Sequence, residues 1–320
     1  MHINHLTIPE IIRLGALAKG KIGADWLDGL DAAINHLAHD WNLSIGQVLS
    51  GGTEALILEA KTSDDEHAVL KIAPPWSSSS ERELKTLLAV KGNGYVQVKN
   101  YNMNRRALLL ERLGPRLNQT PLSMDAQIEA ICSTLKRAWM PLPQGLENIQ
   151  NGAEKAEELV QITERLWKDL GKNLNRLCSE KTIEIAIHFG KMRSQSFDPR
   201  NAVLNHGDAH AWNTLAISND DLSQFKFVDP DPVFAEPAYD LGIPMREWSA
   251  ELLAGNPLKL GRERCARLAS LTGVDTESIW QWGFLQRVSN GLLSFENPSL
   301  EEEGRKALAV ADAWTDSLDL

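Results

Sequence analysis

Cysteine is scarce: three in 320 residues, at Cys132, Cys178 and Cys265. Their wide spacing allows neither a CxxC pair nor a disulfide framework, which excludes a disulfide-stapled secreted domain and fits a reducing compartment. Basic residues are short as well, 33 Lys and Arg against 43 Asp and Glu, leaving a net charge of −10. A polyanion binder carries a basic excess, so nucleic acid is not expected as a partner, whereas an acidic surface collects cations. No run of about 18 uncharged apolar residues occurs, so no membrane span is expected. The opening Met1-His2-Ile3-Asn4-His5 lacks a basic stretch leading into an apolar one. No secretory signal is therefore expected, and a soluble cytoplasmic protein is. No GxSxG elbow, HExxH pair or Cys/His cluster is present, which argues against serine hydrolases and zinc enzymes.

What is present is enough apolar material, 43% of residues, for two domains with buried cores. Over the first forty residues Ile8, Ile11, Ile12, Leu14 and Leu17, then Trp26, Leu27, Leu30, Ile34 and Leu37, recur at helical spacing and predict one or two lead-in helices. From residue 43 the texture becomes strand, glycine turn (Ser50-Gly51-Gly52-Thr53), strand, polar turn and a third strand, Ala68-Val69-Leu70-Lys71-Ile72. A helix follows over 81–90, then short strands at 96–98 and 106–113. Beyond Gly114-Pro115 the pattern is helical over 124–139, 153–178, 182–195, 262–271 and 276–294, with short apolar runs between 203 and 232. The expectation is an α+β chain: a β-rich unit over 1–113 with a helical lead-in over 1–42, and a mainly helical unit over 114–320.

Gly15 to Lys21 fits GxxxxGK, but Ile22 stands where Ser or Thr would ligate magnesium, and the segment before it is helical. The specific pattern is His206-Gly207-Asp208-Ala209-His210-Ala211-Trp212-Asn213, followed by Phe227-Val228-Asp229. In kinase-type phosphoryl transfer an aspartate orients and deprotonates the attacking hydroxyl. An asparagine five residues on and a second aspartate after a strand hold magnesium against the nucleotide phosphates. Taken singly, Asp208 and Asn213 are ordinary turn formers, and Asp229-Pro230 ordinarily ends a strand; the set in this order is not ordinary. The same chemistry needs a strand lysine for the α/β-phosphates and a helix glutamate to orient it. Lys71 is the lysine. Glu83 is the preferred partner because Leu84, Leu87 and Leu88 form an apolar face beside it, with Glu81 also open. Gly51 and Gly52 would let backbone amides approach phosphates. The run from Ala107 through Glu111 to Leu113 is where adenine would meet extended backbone at the junction of the two units.

These motifs resemble the aminoglycoside phosphotransferase superfamily, whose signature is HGDxHxxN followed by a strand and Asp. More closely, they resemble the branch that contains the streptomycin 6-phosphotransferases and the aminoglycoside/hydroxyurea antibiotic resistance kinases. The branch features are Leu49-Ser50-Gly51-Gly52-Thr53, Gly92-Asn93-Gly94, Ala107 through Leu113, Val228-Asp229-Pro230, and Glu236-Pro237-Ala238-Tyr239-Asp240-Leu241. The resemblance implies a protein-kinase-like bilobal fold, ATP or GTP as donor, Mg2+, and a small hydroxylated acceptor. On this chain it implies Asp208 as base, Asn213 and Asp229 as metal ligands, Lys71 and Glu83 as the phosphate-positioning pair, and Asp240 as a brace for the catalytic segment. The chain departs from the pattern at Ala211-Trp212, where the family often has Pro-Gly, and at Asp231, where the branch tends to have lysine.

The acceptor expected from this is cationic and streptomycin-like, met by Asp231, Glu236, Glu247 and Glu251. A choline, fructosamine or other metabolite kinase is the alternative, and a non-catalytic binding module is disfavoured by the complete residue set. A monomer or homodimer is expected.

Overall fold

The computed structural model describes residues 7–52, 54–170 and 178–315. Thr53 of the glycine turn, the end of the helix expected over 153–178 and the Met1 to His5 opening lie outside the described residues. The chain divides into two compact units, Met1–Gly114 and Pro115–Leu320.

The first unit begins with α1 (Glu10–Leu17) and α2 (Lys21–Asp40). The GxxxxGK run lies on α1 and the turn into α2, so it follows a helix and not a strand. Next come β1 (Ser44–Val48), β2 (Leu56–Lys61), β3 (His67–Ile72), α3 (Ser79–Val90), β4 (Val98–Asn102) and β5 (Ala107–Glu111). The five strands form one antiparallel sheet in the order β1-β2-β3-β5-β4. Side chains alternate across a strand, so Leu56, Leu58 and Ala60 of β2 and Ala68, Leu70 and Ile72 of β3 share one face. Leu30, Ile34 and Leu37, one stripe of α2, close over that face. Burying each such leucine is worth about 1.5–3 kcal/mol. Lys71, out of phase with Leu70 and Ile72, is thereby turned to the other face.

The fourth strand begins at Val98, not Val96. Tyr95 and Val96 are buried, and Gln97 exchanges hydrogen bonds with Glu111 before an irregular register between Val98 and Asn100. The apolar run therefore marked burial at the entry to the strand, while beyond Val98 this edge strand runs through Lys99, Asn100, Tyr101 and Asn102. Leu88 of α3 is 39% exposed; the buried stripe runs through Glu83, Leu84, Leu87 and Val90.

The second unit contains α4 (Met124–Ala138), α5 (Gly152–Leu170), α6 (Glu180–Gln195), β6 (Val203–Asn205), β7 (Thr214–Ala216), β8 (Phe225–Phe227) and β9 (Val233–Ala235). It continues with α7 (Ala238–Arg246), α8 (Ser249–Leu253), α9 (Pro257–Thr272), α10 (Thr276–Leu293) and α11 (Glu301–Trp314). The short strands make two antiparallel ladders, β6 with β9 and β7 with β8. Helix α10 is apolar around most of its circumference, and Ile279, Trp280, Trp282, Phe284, Leu285, Val288 and Leu292 are all buried, as expected for a central helix. The acidic run from Glu301 to Glu303 forms the first turn of α11, where carboxylates meet the positive end of the helix dipole. Cys132, Cys178 and Cys265 are buried free thiols, each pushed up to about 12 by burial.

Helix α7 was not legible as a helix, since Gly242 and Pro244 interrupt its period. Its carboxyl-terminal turn is held by two buried arginines. Arg287 donates to the carbonyls of Met245 (2.6 Å) and Glu247 (3.2 Å) and to Ser249 Oγ (2.7 Å). Arg264 donates to the carbonyls of Pro244 (3.3 Å) and Glu247 (2.7 Å). Carbonyls at the end of a helix lack intrahelical donors, and here the guanidinium groups supply them. Arg287→Met would fill similar volume and leave these acceptors without that donor. An unfolding free energy about 2–4 kcal/mol lower is expected, measured by urea denaturation.

Candidate active site

In the first unit Lys71 is on β3, paired in register with Ile57 and Leu108 of the neighbouring strands. Its Nζ donates to both carboxylate oxygens of Glu83 at 2.7 Å. The two side chains are 12% and 7% exposed, so the pair is shielded from water and from salt. Glu81 instead meets Lys85 one turn along the helix surface. Lys71 and Glu83 line a cavity of about 110 Å³ with Ala73, Leu84, Arg106 and Leu108. Gly51, at φ +107°, and Gly52 form the turn between β1 and β2. A Cβ on Gly52 would lie 2.3 Å from the Ala55 carbonyl oxygen, so only glycine fits. At the end of β5, Glu111 is engaged with Gln97 through its amide (3.0 Å) and its carboxylate (2.7 Å), and Leu113 is buried.

In the second unit residues 206–213 form the loop between β6 and β7. Its entry is fixed by Asp240, which is completely buried. Asp240 accepts from the backbone amides of His206 and Gly207, both at 2.9 Å, and from Trp139 Nε1 at 3.0 Å. His206 is also fully buried. Its Nδ1 accepts from the Asp208 amide (3.1 Å), so Nε2 carries the hydrogen and donates to the Val228 carbonyl (2.9 Å). Burial pushes this histidine down to about 4, and the neutral ring is the species its two hydrogen bonds require. Gly207 adopts φ +86°, and a Cβ there would lie 1.6 Å from the Asp231 carbonyl oxygen. The glycine of the motif is thus required by a close backbone approach.

Asp208 presents its carboxylate at the turn of this loop. Oδ1 accepts from Arg246 Nη2 at 2.8 Å, and Oδ2 from His210 Nε2 at 3.0 Å and Asn213 Nδ2 at 3.1 Å. Burial alone would raise its pKa. The hydrogen bond from His210 and the charge of Arg246 outweigh burial and hold the carboxyl well below the usual range. The backbone ties Asn213 to the next strand pair, because the Val228 amide donates to the Asn213 carbonyl at 2.9 Å. Asp229 follows at φ +54°, a left-handed conformation that Asp tolerates better than most residues. Asp208 and Asn213 are thus in direct contact, and the backbone next to Asp229 is tied to Asn213.

Sequence reasoning assigned no role to His210 or Arg246. His210 stands inside the motif and could have been read from it. Arg246 is 38 residues from its partner, and no local pattern marks it. Of the acidic residues expected near an acceptor, Glu236 is taken by Arg193 (3.1 Å) and Trp282 Nε1 (2.9 Å). Trp212, in the departure from Pro-Gly, is an exposed indole with the Arg116 guanidinium 5.9 Å above its ring.

Over residues 40–294 the sequence matches the family described as aminoglycoside/hydroxyurea antibiotic resistance kinase. It is 25% identical over 296 residues to a streptomycin 6-kinase of Streptomyces glaucescens, across 91% of this chain and 92% of that one. Among solved structures it is similar to the choline kinase of Streptococcus pneumoniae, with a TM-score of 0.60 at 14% identity over 89% of this chain and 97% of that one. It is also similar to an aminoglycoside phosphotransferase of Streptomyces rimosus in complex with ADP and streptomycin. That match has a TM-score of 0.53 at 14% identity, over 82% of this chain and 98% of that one. The fold is the α+β, protein-kinase-like one: a small antiparallel sheet with an inserted helix, and a mainly helical unit.

Burial pushes Asp240 up to about 6, against the lowering effect of the Gly207 and His206 amides and the Trp139 indole. An unfolded aspartate titrates near 3.9, so between about pH 4 and 6 the folded chain holds the proton more firmly. That contribution to stability is full below about 4 and is lost as pH rises through about 6. Asp240→Asn has no such proton. The stability of the parent relative to this variant should therefore fall by about 2–3 kcal/mol from pH 4 to pH 7. Urea unfolding of both proteins across that range measures it, and a pH-independent difference would contradict the assignment.

Proposed function

The chain belongs to the aminoglycoside/hydroxyurea antibiotic resistance kinase family and is a phosphotransferase with a hydroxyl acceptor, and from that premise we propose that it transfers the γ-phosphate of ATP or GTP to a hydroxyl of a streptomycin-like cation. The observation that carries this reading is the Asp208 carboxylate, ionised and held beside Asn213 in a loop whose entry is pinned by Asp240. Asp208 accepts the hydrogen bond of the acceptor hydroxyl and orients its oxygen toward the γ-phosphorus. As that bond forms, the bond from phosphorus to the bridging oxygen breaks and the nucleoside diphosphate leaves, while the hydroxyl proton passes to Asp208. Lys71, fixed by Glu83, holds the α/β-phosphates; the Gly51 and Gly52 turn covers phosphate with backbone amides; the backbone around Glu111 and Leu113 receives the base.

Asn213 and Asp229 would hold Mg2+, and their donors fit it, being hard oxygens from one amide and one carboxylate. Among the described residues no group of three or more His, Cys, Asp or Glu converges as a metal cage. That composition suits an ion that takes its remaining ligands from phosphate and water. When bound, the ion neutralises charge on the phosphate oxygens.

The cationic acceptor is supported by the net charge of −10 and by the streptomycin 6-kinase relative. A cytoplasmic location accords with three unpaired thiols, and among the described residues no helix is long and apolar enough to cross a membrane.

Incubation of the purified protein with ATP, magnesium and streptomycin should give a phosphorylated product by mass spectrometry. If streptomycin is untouched while a neutral metabolite is phosphorylated efficiently, the cationic acceptor is wrong and the kinase assignment stands. Asp208→Ala should lose about 10²–10⁴-fold in turnover while still binding nucleotide by calorimetry.

A further inference from the structure

We infer that the exposed indole of Trp212 is a contact surface for the acceptor, taking a cationic group of it against the ring while the acceptor hydroxyl lies on Asp208. The inference rests on the reading of the chain as a kinase of a cationic acceptor, and adds to it the side chain that meets the charge.

The chain has ten tryptophans. Nine are buried or half-buried, and Trp212 alone is exposed, at 54%. A tryptophan contributes to folding mainly through the large area it buries. Trp212 forgoes much of that contribution, so packing does not account for it.

Its place in the chain does. Trp212 stands in the loop 206–213, between Asp208 and Asn213, and its backbone is held there. The Trp212 amide donates to His210 Nδ1 at 3.2 Å, and His210 Nε2 lies 3.0 Å from Asp208 Oδ2. One imidazole ring and two hydrogen bonds thus separate the root of the indole from the carboxylate. On either side, the Ala211 carbonyl accepts from the Asn118 amide (3.4 Å), and the Asn213 amide donates to the His210 carbonyl (3.0 Å). The root of the side chain is fixed, the ring stands in solvent, and the Asp208 side chain is itself 37% exposed. An acceptor held by its hydroxyl on Asp208 brings its other groups within reach of the ring.

The chemistry of the ring selects among those groups. An indole carries negative potential on both faces and attracts a cation within about 6 Å of its centroid. Arg116 already uses one face, its guanidinium 5.9 Å from the centroid. The opposite face offers the same potential to a guanidinium or ammonium of the ligand. A guanidinium is weakly hydrated and stacks on aromatic faces, so it loses little on leaving water. The net charge of −10 collects cations over the whole surface, whereas the ring acts at one point, beside the base. A neutral acceptor would gain apolar contact there and nothing from the potential.

The test is steady-state kinetics of the full chain with MgATP and streptomycin. Trp212→Leu keeps apolar bulk and removes the aromatic face. Its KM for streptomycin should rise about tenfold, with kcat and the KM for ATP near those of the parent, the pattern of a lost binding contact. Trp212→Phe keeps a weaker face and should lie between the two. Arg116→Ala leaves the indole in place and should not raise the KM for streptomycin. An unchanged KM for streptomycin in Trp212→Leu overturns the inference, and so does an equal rise in the Leu and Phe variants, which would make bulk and not charge the cause. A fall in kcat alone, or a rise in the KM for ATP instead, overturns it as well, because either marks a disturbed loop. A rise in Arg116→Ala as large as in Trp212→Leu does the same, by making the ring a support for Arg116. Failure of the parent to phosphorylate streptomycin is a separate result, read before any variant is made, that overturns the cationic-acceptor reading and this inference with it.

Discussion

One buried carboxylate decides where the loop 206–213 begins. Asp240 takes two successive backbone amides, those of His206 and Gly207, and the indole of Trp139. Two consecutive amides cannot both point at one side chain from an extended strand, so the chain must turn there, and glycine follows because the Asp231 backbone fills the space a Cβ would need. Once the turn is made, the neutral His206 ring spans from the Asp208 amide to the Val228 carbonyl. It thereby links the segment that carries Asp208 to the strand that leads into Asp229. Burying an aspartate opposes its ionisation, and three donors aimed at it offset part of that cost.

The second constraint is at the other end of the same helix. Helix α7 starts beside Asp240 and finishes at Arg246, so the element that shapes the loop also delivers a cation to the loop's carboxylate. The nine-residue length of α7 sets this relation: a helix rises about 1.5 Å per residue, and from Asp240 to Arg246 it spans the distance between the loop's entry and the Asp208 carboxylate. Two fully or nearly buried arginines without a carboxylate at hydrogen-bonding distance are costly to place. Here they are spent on carbonyls at the helix end, which suggests that the position of that end matters more than the cost.

How much of this was legible depended on distance along the chain. Lys71 is legible because Val69-Leu70-Lys71-Ile72 is close to the kinase strand pattern and stands between a glycine turn and a glutamate-bearing helix. The sequence favours Glu83 beside Leu84 and Leu87 and leaves Glu81 open; the structure pairs Glu83 with Lys71 and Glu81 with Lys85. The phosphoryl-transfer set could be named because its members are five and sixteen residues apart in a fixed order. The limits were equally physical. Val96 looked like strand because it is apolar, but it is buried just ahead of β4. Helix α7 was hidden by Gly242 and Pro244, whose low propensity is overridden by packing against α10. Arg246 was invisible because its partner is brought to it only by the fold, and Glu236 looked available because nothing near it in sequence shows that Arg193 and Trp282 claim it.

The three buried thiols have a practical corollary. At neutral pH a thiol titrating near 12 is ionised to about one part in 10⁵, and the thiolate is the reactive species. The native chain is therefore nearly silent toward maleimides and haloacetamides. A single cysteine placed on an exposed position would react far ahead of Cys132, Cys178 and Cys265, so a dye or spin label can be attached at one chosen point without first stripping the protein of its own sulfur.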